Sequence, residues 1–160
     1  MNQGEYRNGI GELYAAEVLG ENLANRWLQL ATDADQKYKL ALFLQLESEA
    51  KVRLRPLLAR HGISLVEDAQ LKTDGAAEAE HFAAQPWKEA MATLAKLALP
   101  YAHRFQALLE AAPAEDVPLI RFMVDHELSV VRIAEREALG DPAMASELVV
   151  KLAHPIACKH

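Results

Sequence analysis

Three glutamates interrupt three otherwise apolar helical stripes in this chain. Any fold that buries those stripes must also neutralise or pair the carboxylates. The segment 119–140, LIRFMVDHELSVVRIAEREALG, carries the last of them: Leu119, Met123, Glu127, Val130, Ala134 and Ala138 recur three or four residues apart and so share one helix face. Segment 9–31 does the same with Leu13, Glu17, Gly20, Ala24, Trp27 and Ala31, and segment 35–61 with Leu40, Phe43, Glu47, Ala50, Leu54, Leu58 and His61. A carboxylate inside a buried stripe is costly unless it is protonated, paired or bound to a cation. Gly20 costs about 1 kcal/mol relative to alanine in a helix interior. The expected reason for it is close approach of another helix.

The rest of the composition agrees with helices. Half of the residues are hydrophobic but only 6% are aromatic, and alanine and leucine dominate. The 160 residues make one domain, 1–160, with loose ends expected at about 1–7 and 154–160. A formal charge of −6 and the absence of any Lys/Arg run exclude the positive field that phosphate backbones and anionic membranes attract. No window approaches eighteen uncharged apolar residues, so no membrane span is expected. The opening MNQGEYRNGIGELY lacks the basic-then-apolar pattern of a signal peptide. Cys158 is the single cysteine, which rules out an internal disulfide and leads to a cytoplasmic expectation.

In chain order, the turn at 32–34 is short enough to make the first two helices antiparallel neighbours. Pro56 is expected to kink the second helix near its end, and Gly62 to terminate it. Residues 62–85 show no sustained period and read as a long connection with a short helical piece near 76–82. The third helix starts near Pro86 and aligns Trp87, Met91, Leu94, Ala98, Tyr101, Phe105 and Leu108. It has no carboxylate between Glu89 and Glu110, and Pro100 is expected to bend or divide it. Asp116 is expected to cap the fourth helix and Pro118 to open it. A short fifth helix follows, at 143–153. The fold expected is all-α, four long helices plus a short one, with a long crossover between the second and third.

Inward glutamates at similar depth on facing helices are how a four-helix bundle builds a metal site from hard oxygen ligands. Here the chain resembles the ferritin-like superfamily, in particular its rubrerythrin-like, di-iron carboxylate branch. LQLESEAKVRLRPLLARHG resembles the first Glu-x-x-His helix of that family, with Glu47 at the glutamate position, and VDHELSVVRIAERE resembles the second, with Glu127 there. The resemblance spans about 9–62 and 86–140 and implies a ferritin-like bundle with iron or manganese as cofactor. The chain departs from the pattern at several positions. Ala50 and Val130 stand where the two histidines belong, the third helix lacks its glutamate near 98–101, and on the first helix Gly20 falls near the ligand position, with Glu17 one turn earlier.

Three readings follow. In the first, no cofactor is bound: the metal site is degenerate and non-catalytic, and the protein acts by association, as a homodimer. Trp27, Trp87 and the 148–152 stretch are candidate surface. Glu17, Glu47 and Glu127 then pair with Arg26, Arg53, Arg121 or Arg132, or Glu47 with Lys51 on its own helix. In the second, the protein is an iron- or manganese-dependent oxidoreductase using Glu17, Glu47, Glu127 and His126. His126 lies about 100° from Glu127, at the edge of the buried face. In the third, the bundle centre is a small-ligand pocket beside Glu127 and Tyr101, lined by Met123, Phe43 and Leu94. His154, Cys158 and His160 at the tail carry potential soft-metal ligands, and a frayed tail is the expectation there. No phosphate loop, nucleophile elbow or partnered Cys/His pair supports a hydrolase or nucleotide-binding reading.

Overall fold

Six helices and no strand make up the described residues of this computed structural model, which are 1–141 and 144–154: α1 (Gln3–Leu30), α2 (Ala34–Arg60), α3 (Ala69–Ala83), α4 (Trp87–Glu110), α5 (Val117–Ala138) and α6 (Met144–Lys151). Pro142, Ala143, Cys158 and His160 lie outside them. Among the described residues no helix is long and apolar enough to cross a membrane. Helices α1 and α2 form one antiparallel hairpin and α4 and α5 another, while α3 lies along α1 and α6 against α2 and α5. Asp33 caps α2 by accepting from the Gln36 amide at 2.9 Å, and the short turn before it brings α2 back along α1. Gly62 follows α2 at φ +62°, the left-handed conformation that ends a helix.

The first helix begins earlier than its apolar period suggests. Asn2 and Glu5 form a reciprocal capping box, which extends α1 back to Gln3 and buries Tyr6. Residues 3–7 are therefore helical. Pro56 and Pro100 lie inside α2 and α4, and each helix continues for at least one turn beyond its proline.

Asp116 does not cap α5 with its side chain. It is fully buried, accepts from the Tyr6 hydroxyl at 3.0 Å, and meets His61 Nε2 at 2.7 Å and Arg60 Nη1 at 3.3 Å. This cluster ties the start of α1 to the end of α2 and the start of α5. At the opposite end Lys39 bridges Asp35 and Glu137 at 2.6 Å each, and Glu137 also accepts from the Trp87 indole at 2.7 Å. Trp27, Leu148 and Leu152 are buried within the chain itself, and Trp87 is half-buried against Trp27. Within the 148–152 stretch Val150 stays exposed.

The main correction concerns 62–85. Residues 69–83 are a full helix that buries only Gly75, Ala79 and Phe82. Gly75 allows α3 to approach α1 backbone to backbone: a Cβ there would stand 2.5 Å from the Leu19 carbonyl oxygen and 3.1 Å from the Leu23 amide. Phe82, at the far end, stacks on Trp27 with ring centroids 5.0 Å apart. Gly75→Ala is therefore expected to destabilise the fold by about 1–2 kcal/mol, although alanine is the better helix former in isolation. Thermal unfolding of the variant checks this, and an unchanged or raised melting temperature would contradict the close crossing.

Candidate metal centre

The apolar core is divided into two. One part gathers Leu23, Trp27, Phe43, Met91, Leu94 and Val130, and the other Ile10, Leu13, Leu54, Phe105, Ile120 and Met123. On α1, α2 and α5 the break between them falls at Glu17–Gly20, Glu47 and His126–Glu127. These residues form a polar layer across the bundle at mid-height.

Glu17, Glu47 and His126 converge in that layer. Nε2 of His126 lies 3.5 Å from Oε2 of Glu17 and 3.5 Å from Oε1 of Glu47. One ligand atom from each of the three falls within 4.8 Å of the others. In a shell with bonds of about 2.1 Å, neighbouring donors stand roughly 3 Å apart and opposite ones roughly 4.2 Å apart. The two His126–carboxylate separations of 3.5 Å are thus about 0.5 Å wider than neighbouring donors in such a shell. All three are buried: 1%, 5% and 5% exposed. Both carboxylate oxygens of Glu17 and Nδ1 of His126 lack a hydrogen-bond partner.

The arginine pairing envisaged from sequence is absent among the described residues. Arg26 binds Glu80, Arg132 meets Glu147, and Arg53 lies over the Phe122 ring. Lys51 pairs with Glu21 and Glu67, not with Glu47. His126, placed at the edge of the buried face by angular spacing, lies inside the layer and is its one basic group. Gly20 is explained differently from the expectation. Its missing side chain makes room for the Glu47 carboxylate, into which a Cβ would run, so the close approach is that of a side chain and not of a helix backbone.

Glu127, 7% exposed, faces a cavity of about 280 Å³ rather than a partner. Phe43, Leu94, Tyr101, Gly20 and Glu47 share that lining. Met123, expected there, is fully buried in the other half of the core and does not reach it. Sequence reasoning missed Asp74 and Glu78 of α3, which also line the cavity. Their spacing of four residues was a usable signal only once 69–83 was known to be a helix.

The charges answer to one another. Burial is the strongest influence on Glu17 and raises its pKa well above the ordinary carboxylate value. The His126 charge opposes this, and Glu47 and Glu127 add to it. Burial also leads in raising Glu127 to about 7. For His126, burial pushes the pKa down, but Glu17, Glu47 and Glu127 outweigh it and raise the imidazole to about 10. Without a cation, the layer holds protons instead. Carboxylate oxygens with one imidazole suit iron(II) or manganese(II), and the orphaned Glu17 carboxylate fits such an ion. Comparison of the chain with protein-family models, curated protein sequences and solved structures finds no match.

The sign of the pH dependence follows. Glu17, Glu127 and His126 all bind protons more tightly folded than unfolded, so their stabilisation is present at low pH and lost as pH rises. The Glu127 share disappears between about 4.5 and 7, and the His126 share between about 6.5 and 10. Metal-free protein should therefore melt at progressively lower temperature from pH 5 to pH 9. Glu127→Gln should remove roughly 2–3 kcal/mol of the fall between pH 4.5 and 7. Melting curves across this range check it, and a curve that rises over the range would contradict the buried layer.

Proposed function

We propose that this chain is a ferritin-like bundle whose function depends on one divalent cation, iron or manganese, held by Glu17, Glu47 and His126 beside a substrate cavity. The observation that carries this reading is the Glu17 carboxylate, buried with neither oxygen hydrogen-bonded, 3.5 Å from His126, and with no arginine or lysine on Glu17, Glu47 or His126 among the described residues. The two antiparallel hairpins joined by the long 61–86 segment support the ferritin-like topology. His126 takes over the imidazole role that Ala50 and Val130 do not fill. The family's second metal has no comparable ligand set among the described residues, so one ion per chain is expected.

The reading is that of a metal-dependent oxidoreductase. A bound iron or manganese ion supplies a Lewis-acidic, redox-active centre. The residues supply the rest. Glu17, Glu47 and His126 fix its place, and Gly20 leaves space for the Glu47 carboxylate. Glu127 sets a proton-accepting group in the cavity wall. Phe43, Leu94 and Val130 limit water around these groups, which strengthens the electrostatics of the site.

Elemental analysis tests this, on protein as purified and after anaerobic incubation with ferrous or manganous ion. Near one equivalent per folded chain is expected. Glu17→Gln should lower affinity at least tenfold while the metal-free form stays folded, because the amide matches in size a carboxyl that burial already pushes towards its protonated form. Gly20→Ala should also weaken metal binding, by displacing Glu47. Folded wild-type protein that retains no metal, with both variants indistinguishable from it, would overturn the reading.

A further inference from the structure

The cavity beside this site has a chemical bias of its own. Every ionisable side chain that lines it with a charge at neutral pH is acidic: Glu47, Glu127, Asp74 and Glu78. Among the described residues no lysine, arginine or histidine lines it. The carboxylates are graded in depth. Asp74 is exposed and Glu78 half-buried, both on one face of α3, while Glu127 lies at the inner wall. Glu127 has no hydrogen bond or ion pair among the described residues, so a carboxylate more than nine-tenths buried points into the cavity unpartnered. The remaining wall is apolar and aromatic, with Phe43, Phe82 and Tyr101 among its residues. A volume of about 280 Å³ is near the lower end of cavities that hold small molecules.

We infer that the cavity takes a small organic cation: a primary amine on a compact apolar or aromatic body, its ammonium at Glu127 and its body against Phe43 and Phe82. Charge complementarity selects the ammonium, and aromatic faces add cation–π attraction. A carboxylate or phosphate ester of the same shape meets an acidic lining with no basic group, which disfavours it. Asp74 and Glu78 draw the cation to the opening, and Glu127 holds it beside the metal ligands. The inference rests on the metal reading for what then happens to the bound molecule, and on the cavity alone for which molecule binds.

Three probes of matched shape test it on the full chain, metal-free and at pH 7.5: 2-phenylethylamine, phenylacetate and ethylbenzene. Titration calorimetry, with tryptophan emission from the Trp27–Phe82 stack as a second readout, should give 2-phenylethylamine at least tenfold tighter than phenylacetate. Glu127→Gln should cost the amine about tenfold and leave ethylbenzene within a factor of two. Ala98→Phe fills the cavity from its lining and should abolish binding of all three; its circular dichroism and melting curve establish that it is folded. Equal or tighter binding of phenylacetate, or no binding of the amine to wild type, would overturn the inference. Metal loading is measured separately. Protein that loads iron or manganese but ignores the amine sinks this inference alone, and protein that binds the amine but no metal sinks the metal reading alone.

Discussion

Three carboxylates and one imidazole share a buried layer at the middle of this bundle, and the net charge of that layer has to be neutralised. With all four ionised the sum is −2, in surroundings where an isolated charge costs several kcal/mol. The basic side chains that could neutralise it are committed elsewhere: Lys51 to Glu21 and Glu67, Lys39 to Asp35 and Glu137, Arg26 to Glu80. Two outcomes remain. The layer takes up protons, which is what the raised pKa values of Glu17 and Glu127 express, or it takes up a divalent cation.

The polar groups at the two ends of the bundle behave differently, and the contrast is informative. The Asp116 cluster joins three helix termini through a tyrosine, a histidine and an arginine. The Lys39–Glu137–Trp87 group joins α2, α5 and α4. In each, one carboxylate oxygen accepts hydrogen bonds, Oδ2 of Asp116 and Oε1 of Glu137, while the other oxygen has none. They hold the two hairpins at the depth where Glu17, Glu47 and His126 face one another. Glu17 differs in that neither of its oxygens is hydrogen-bonded and its one ion-pair partner is His126 at 3.5 Å, so the centre keeps a group that a ligand would relieve.

Much of the layer was legible in the sequence because helical period alone puts Glu17, Glu47 and Glu127 on buried stripes. His126 was harder to place. An angle of 100° from Glu127 puts it at the edge of a single stripe, but α5 is covered by α4, α2 and α6 and buries more than one stripe, Val124, His126, Val131 and Ile133 included. Helix α3 was harder still. Its buried face is Gly75, Ala79 and Phe82, too small and sparse to stand out as a period, and it owes its position to a backbone contact that only a glycine permits. The carboxylates Asp74 and Glu78 went unnoticed with it.

The sequence by itself determined the helical class, the first hairpin and the depth of the three glutamates, because local periodicity and short turns act over a few residues. Tertiary structure decided which charges found partners. Lys51 turns to Glu21 and Glu67 instead of Glu47, the candidate arginines point away from the layer, and His126 turns inward. Those choices depend on distances between side chains far apart in the chain, which no spacing along one helix encodes. The cavity is of the same kind: Gly20, Phe43, Glu78, Tyr101 and Glu127 come from five helices, and only their packing leaves a space between them.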